Sequence, residues 1–506
     1  MSLTERDFFS HENFLSEKSA QTLGLSAVFA AIQPVTPYGK VEKSRMKPYL
    51  SDAQEALESV LDALEKTVDF VNGDKVTFHE LIRVFSEIKG LFLTLDRLFS
   101  GEVLSVTELF EIKQQALQMR RISEITGDTD WPGKAMALLP VEAVITLLDP
   151  EGLGIPTFYI YSAYSEKLSE IRGALDLCES EMMALRVKHH SPDDALSEKR
   201  EALLTEEASE ELNVRKTLSA ELAAHVETLY QNIRHIGKMD FLLAKAEYAL
   251  SKHCIRPTFS ENGIALKNAR FPALEARLGE DYMPIDLLLK EPVTVITGAN
   301  MGGKTVALKT IGLICAMARY GLFVPCENAV LTPIDFIFTS IGDGQSTDLG
   351  LSTFGAEMAQ IAKIIQQKNL PGLILLDEFG RGTNPREGSA ISRAVLESLI
   401  SAETLTVATT HDESLTRLVG VDHYQTGGLS ALDEDALKAA FESGEHEPNN
   451  PEAGLKRLKR YMDYRLYPAP PDAPIPQEAL RISGCLGLDP EIIARAKALL
   501  GGADDQ

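Results

Sequence analysis

Apolar residues recur at helical spacing through the first half of the chain and gather into short continuous runs in the second. Leu57, Val60, Leu61, Leu64 and Val68 share one helical face, as do Leu81, Val84, Phe85, Ile88, Phe92, Leu95 and Phe99. Leu109, Ile112, Ala116, Met119 and Ile122 form a third stripe. These stripes predict helices from Lys47 to Glu124 whose apolar faces make a core. Trp131-Pro132-Gly133 breaks the pattern, a further helix runs through Leu148, and Asp149-Pro150-Glu151-Gly152 reads as a turn. Thr157 to Tyr161 reads as a short strand. Helix follows from Ser165 towards Lys188 and again from Val214 to Lys252, with Leu218, Leu222, Val226, Leu229 and Ile233 in register, and Arg256-Pro257 ends it.

Beyond Pro257 the period changes. Short β-like pieces lead into Val293 to Thr297, a run apolar enough for a buried strand. The expected division is an N-terminal extended arm or small cap over 1–45, punctuated by Pro34, Pro37 and Gly39, and a mostly helical domain over 46–255. An α/β domain follows over 256–430, then a tail over 431–506. In the tail, Ser430 to Pro451 reads as an acidic, loop-rich insertion and Pro468 to Pro476 as a stiff linker. The linker delivers an amphipathic pair of helices bearing Leu480, Ile482, Leu486, Leu488, Ile492, Ile493, Ala496 and Leu499.

The chemistry begins where the buried strand stops. Gly298-Ala299-Asn300-Met301-Gly302-Gly303-Lys304-Thr305 stands between that strand and a helical run through Val306, Leu308, Ile311, Leu313 and Ile314. A strand, a glycine loop of this spacing and a helix make a Walker A phosphate cradle. The glycines let backbone N–H groups turn inward around the β- and γ-phosphates, and the helix N-terminus adds its positive dipole end. Lys304 brings a charge to the phosphates, and the Thr305 hydroxyl is placed to ligate Mg²⁺. Leu373 to Leu376 is a second buried strand and ends in Asp377-Glu378, a Walker B pair: one carboxylate for the metal shell, one to activate water. Val407 to Thr410 is a third run, and it ends in His411, where an imidazole can sense the γ-phosphate.

Composition narrows the class. With 44% hydrophobic and 25% charged residues, the 506-residue chain has the make-up of a soluble globular protein of several domains. Its start lacks the basic and apolar regions of a secretory signal, and the apolar run from Ile311 to Val324 is interrupted by Arg319 and too short to span a bilayer. Cys178, Cys254, Cys315, Cys326 and Cys485 are scattered without metal-ligand spacing and read as buried thiols of a cytoplasmic protein. The formal net charge of −24 disfavours a nucleic-acid partner, because DNA affinity rests on Lys and Arg. Between Ser191 and Leu212, Asp and Glu far outnumber Lys199 and Arg200, so this stretch reads as a solvated helical face.

Thr297 to Thr305, Leu351-Ser352-Thr353-Phe354 with Glu357-Met358, Asp377-Glu378-Phe379-Gly380-Arg381-Gly382-Thr383, and Thr409-Thr410-His411 together resemble the ATPase of the MutS family, in that family's order. The resemblance continues weakly upstream through Asp240 to Leu242 and Ile255 to Pro257, and reaches a helical dimerisation tail at Ala479 to Leu500. It implies an ABC-type P-loop ATPase domain beside a helical core and lever. ATP and Mg²⁺ would be sandwiched between two subunits of a homodimer or heterodimer. Asn300 and Lys304 would act in cis, while Ser352 would reach the partner's γ-phosphate. Gly342 to Ser346, with Gln345, and Gly382 to Gly388 look more like the second bacterial MutS branch than the mismatch-repair branch. Tyr282 sits where the family stacks an aromatic on adenine, although Ile285 replaces a usual adenine-contacting Asn. The 45 residues ahead of the helical core leave no room for mismatch-reading and connector domains, and no Leu-Asp-Leu-His-Gly of a nuclease tail follows residue 430.

Three functions follow from the resemblance. The first is a dimeric, ATP-driven clamp on DNA without a mismatch-reading module. The second is a protein-remodelling ATPase, since short acidic MutS-like chains resemble the ATPase subunit of the reactivase of cobalamin-dependent lysine 5,6-aminomutase. The third is a ribosome-associated ATPase like the second branch. Each uses the same engine, and none calls for a membrane.

Overall fold

The computed structural model describes residues 14–127, 131, 136–189, 194–261, 263–299, 302–342, 353–429, 461–475, 478–485 and 488–501. The chain divides into two compact units, one of Met1–Ile32, Met46–Glu65 and Glu247–Gln506, the other of Gln33–Arg45 and Lys66–Ala246.

Of the two forms expected for residues 1–45, the described part is not extended: it carries three short helices, α1 (Glu17–Thr22), α2 (Leu25–Ala31) and α3 (Pro37–Ser44). The reason is local. Ser16 Oγ accepts the Ser19 N–H at 3.1 Å and Thr36 Oγ1 accepts the Gly39 N–H at 2.9 Å, so each starts a helix as N-cap. Pro37 then stands at the first helical position, where its missing N–H costs nothing. A proline read as a breaker is here a starter.

Helices follow along the chain as the stripes require: α4 (Gln54–Gly73), α5 (Lys75–Ser86), α6 (Phe92–Phe99), α7 (Val106–Gly127), α8 (Glu142–Leu148), α9 (Glu166–His189), α10 (Asp194–Ala223) and α11 (Val226–Ser251). Leu81, Phe85, Leu95, Ile112, Met119, Leu222 and Ile233 are buried in the helical unit. The expected strand at Thr157 to Tyr161 does not form, because every strand ladder among the described residues belongs to the other unit and a lone strand leaves its backbone unpaired. Tyr161 is instead buried beside Lys113, whose Nζ donates to Tyr161 Oη at 3.2 Å and to Asp149 Oδ1 at 2.9 Å.

The other unit holds two sheets. Its elements after α11 are β1 (Thr258–Phe259), β2 (Ile264–Ala269), α12 (Pro272–Leu278), β3 (Ile285–Leu289), β4 (Val293–Thr297), α13 (Lys304–Arg319), β5 (Asn328–Leu331) and β6 (Phe336–Ser340). Then come α14 (Thr353–Ile365), β7 (Gly372–Asp377), α15 (Pro385–Ile400), β8 (Leu405–Thr409), α16 (Glu413–Thr416), β9 (Val421–Gly428), β10 (Asp463–Pro468), α17 (Ala479–Cys485) and α18 (Pro490–Gly501). A four-stranded sheet has the order β1-β5-β2-β3, and a six-stranded sheet has the order β10-β9-β4-β8-β7-β6. In the larger sheet β9, β4, β8, β7 and β6 are parallel and β10 is antiparallel. Val293, Val295, Ile374, Leu376 and Ala408 are buried there against Leu396 and Leu399 of α15 and Ile361 of α14. Runs apolar throughout are what a sheet covered on both faces demands.

The tail differs from its expected form. Residues Asp463 to Pro468 add an unexpected strand to the large sheet, and the described part of the proline run beyond it is hydrogen-bonded to β9. The Ala469 N–H donates to His423 O at 2.9 Å, and Gln425 Nε2 donates to Pro474 O at 3.0 Å. The acidic insertion lies outside the described residues. Cys178, Cys315 and Cys326 are buried, Cys254 is half-buried, and all four are free. Among the described residues no helix is long and apolar enough to cross a membrane.

Candidate functional site

Three parallel strands bring the predicted residues to one edge. Ile296 of β4 is level with Thr409 of β8, and Thr409 is level with Asp377 of β7. β8 therefore separates the glycine-loop strand from the carboxylate strand, and its end lies between them.

The loop leaving β4 needs glycine for two separate reasons. Gly298 has φ 133° and Gly303 has φ 86°, regions that L side chains rarely adopt. In addition, a Cβ at Gly298 would come within 2.0 Å of Thr426 Oγ1, and one at Gly302 within 2.5 Å. Thr426, on β9, is buried, and its hydroxyl has no hydrogen-bond partner among the described residues. It forms the floor under the loop. Tyr464 of β10 packs against the other side, with Cδ1 3.1 Å from the position of a Gly303 Cβ. Sequence reasoning missed both residues. The alternation around Asp463 to Tyr467 was the available signal for β10, and nothing local marks Thr426.

Lys304 opens α13 and is 4% exposed. Its Nζ donates to Gly298 O at 2.7 Å and Ala299 O at 3.1 Å, and lies 3.1 Å from His411 Nε2 and 3.6 Å from Glu378 Oε1. Burial pulls its pKa down, and the neighbouring Glu378 carboxylate opposes that pull. His411 Nε2 is also 3.0 Å from Glu378 Oε1. One ring nitrogen thus stands between an ammonium donor and a carboxylate acceptor. It can accept from Lys304 or donate to Glu378, according to tautomer, but not both at once.

Asp377 is held from both sides. Thr305 Oγ1 donates to its Oδ2 at 2.7 Å and Thr409 Oγ1 donates to its Oδ1 at 2.6 Å. Glu378 follows with φ 51°, a left-handed backbone uncommon outside glycine. Its N–H is kept in place by Thr409 O at 3.2 Å and Thr409 Oγ1 at 3.0 Å. The Glu378 carboxylate also pairs with the Arg381 guanidinium. The His411 hydrogen bond above all, then Arg381 and Lys304, hold its pKa below the usual carboxylate value against the effect of burial.

The structure therefore brings Gly298, Gly302, Gly303, Lys304, Thr305, Asp377, Glu378 and His411 to one place. Asn300, Met301, Gln345 and Ser352 lie outside the described residues. Tyr282 precedes β3, and its hydroxyl accepts the Phe271 N–H at 2.7 Å. Ile285 is buried within β3. Chemically, the loop amides and Lys304 can take phosphate oxygens. The Thr305 hydroxyl with Asp377 can take part in the shell of a hard divalent cation, and Glu378 is an ionised carboxylate able to accept a proton.

A family model described as MutS domain V matches residues 294–436. The chain is 37% identical over 286 residues to the Endonuclease MutS2 of Shouchella clausii (strain KSM-K16), an overlap of 56% of this chain and 33% of that protein. It is 33% identical over 306 residues to the Endonuclease MutS2 of Finegoldia magna, covering 60% of this chain and 35% of that protein. With the Endonuclease MutS2 of Pediococcus pentosaceus the identity is 32% over 352 residues, covering 68% of this chain and 40% of that protein. The chain thus spans between 33% and 40% of the length of these curated relatives. The matched domain V and these identities support a MutS-family protein.

Proposed function

We propose that the chain is an ABC-type P-loop ATPase working as a dimeric, ATP-driven conformational switch. The observation that carries this reading is the clustering of Lys304, Thr305, Asp377, Glu378 and His411 at the ends of β4, β7 and β8. Thr305 and Asp377 would hold Mg²⁺, which when bound supplies charge neutralisation at the phosphates. The hydroxyl–carboxylate pair that fits this ion is already assembled by the Thr305 hydrogen bond. The loop amides and Lys304 bind and orient the triphosphate. Glu378 takes the proton of the attacking water, and its low pKa keeps it ionised at neutral pH. His411 holds the Glu378 carboxylate in place and, by changing the partner of Nε2, responds to charge at Lys304.

For the object that the switch moves, the matched relatives are named endonucleases, which supports a DNA clamp. The net charge of −24 supports instead a protein client such as a cobalamin-dependent aminomutase. Measuring ATP turnover with branched DNA and with purified aminomutase separates them. Stimulation by DNA that disappears steeply with salt favours the clamp, and stimulation by the enzyme alone favours the reactivase. An absence of ATP binding would remove the ATPase reading itself.

A further inference from the structure

Glu357 belongs to a motif that carries the family resemblance, yet the site just described gives it no role. It lies on α14, the helix that begins at Thr353, and its two carboxylate oxygens reach two different strand ends. Ser340 Oγ, at the last residue of β6, donates to Glu357 Oε1 at 3.1 Å. The Gly380 N–H, two residues beyond Glu378, donates to Glu357 Oε2 at 3.3 Å. β6 and β7 are neighbours, with Ser340 level with Leu376. Glu357 therefore bridges the end of β6 to the segment that follows β7.

That segment is strained and closely packed. Glu378 has φ 51° and Gly380 has φ 81°. Such a backbone is unfavourable for a non-glycine residue and persists only where surrounding contacts over-determine it. On one side Thr409 grips the Glu378 N–H. On the opposite side a Gly380 Cβ would meet Ser392 Oγ at 2.6 Å, and a Gly382 Cβ would meet Phe354 Cβ at 2.7 Å. Ser392 Oγ also donates to Phe379 O at 3.2 Å, so that side holds the segment by one neutral hydrogen bond as well as by packing. The Glu357 carboxylate adds a second hold, on Gly380 itself and from the β6 side.

We propose that Glu357 is a positioning residue for Glu378: it anchors Gly380 so that the carboxylate of the general base is held towards the Lys304–His411 side of the site. The inference rests on the reading of Glu378 as general base. Glu357 touches neither Lys304 nor the glycine loop in the hydrogen bonds that define it, so nucleotide affinity and catalytic rate respond differently to its loss. Displacing a reacting group by an ångström can cost about 100-fold in rate.

The test compares the unaltered 506-residue chain with Glu357→Ala, Glu357→Gln and Ser340→Ala. ATP turnover and binding of a fluorescent ATP analogue are measured separately. Glu357→Ala lowers kcat by about tenfold or more while analogue affinity stays within about twofold. Glu357→Gln recovers most of the rate, because its amide oxygen still accepts from Gly380 and its amide N–H can donate to Ser340. Ser340→Ala falls between. An unchanged kcat in Glu357→Ala overturns the proposal, and so does a parallel loss of rate, affinity and melting temperature in Glu357→Ala and Glu357→Gln. An unaltered chain that binds and hydrolyses ATP, but whose Glu378→Gln form hydrolyses equally well, overturns the general-base reading and this inference with it.

Discussion

Thr409 Oγ1 donates to Asp377 Oδ1 at 2.6 Å, across the neighbouring strands β8 and β7 of the large sheet. The same hydroxyl accepts the Glu378 N–H at 3.0 Å, so one side chain of β8 orients both acids of the carboxylate strand. Thr409 is fully buried, and valine fills nearly its shape. Thr409→Val should therefore fold, with a stability loss of roughly 1–2 kcal/mol for unmet hydrogen bonds. It should also need more Mg²⁺ for half-maximal turnover, since Asp377 is no longer fixed. Thermal unfolding and a Mg²⁺ titration of ATP hydrolysis give both numbers, and an unshifted titration would count against the role of Asp377.

Lys304 Nζ spends its hydrogen bonds on the carbonyls of Gly298 and Ala299, inside the loop that it would share with phosphates. Lys304→Ala removes the buried charge as well as this internal brace. The expected outcome is loss of measurable ATP binding by calorimetry, with no compensation at high Mg²⁺. Retained tight binding would mean that the loop amides alone suffice.

Glu378→Gln should bind ATP yet lose at least about 100-fold in turnover, because the amide cannot take a proton. The variant should then accumulate as a dimer in the presence of ATP, read by light scattering. The pH profile carries a second check. The depressed pKa of Glu378 keeps it ionised as pH falls through the usual carboxylate range, so turnover should show no acid limb from this group between pH 7 and about 5. A limb at pH 6 that vanishes in the variant would contradict the assignment.

Lys113 and Asp149 form a buried ion pair in the helical unit, with side chains 0% and 3% exposed. Lys113→Met leaves the Asp149 carboxylate buried with only the backbone N–H groups of Leu153 and Gly154 beside it, a loss expected at about 3–5 kcal/mol. Adding Asp149→Asn should restore part of that, because the amide oxygen still accepts from Gly154. Denaturant unfolding of both variants tests this. Equal destabilisation would show that the pair is not what holds the 149–161 segment.

Burial lowers the Lys245 pKa to about 8, with its Nζ 4.7 Å from the centre of the Phe241 ring. The unfolded chain, with an ordinary lysine near 10.4, binds the proton more tightly than the folded one between these values. Stability contributed by this site therefore rises as pH climbs from 8 towards 10.4, and the cost is constant below 8. Lys245→Met should stabilise the protein at pH 7 by on the order of 2 kcal/mol, and the gain should shrink by pH 10. A gain that does not vary with pH would point to packing alone.

The sequence by itself determined the elements whose signals are short-range. The buried run Val293 to Thr297, the glycine loop and the helix from Lys304 all follow from neighbouring residues, because φ preferences and apolar runs act within a few positions. The two acids at the end of β7 and the imidazole after β8 were legible for the same reason. The helical arm at 14–45 and the missing strand at Thr157 to Tyr161 were not. A proline both breaks and starts helices, and a β-rich run becomes a strand only beside another strand. Tertiary structure alone decided that β8 stands between β4 and β7, so that Thr409 reaches Asp377. It likewise decided that Thr426 lies under the glycine loop, that β10 brings Tyr464 against Gly303, and that Glu357 reaches Gly380. Strand order and register are set by how whole faces bury one another, and residues dozens of positions apart become neighbours only once that packing is complete.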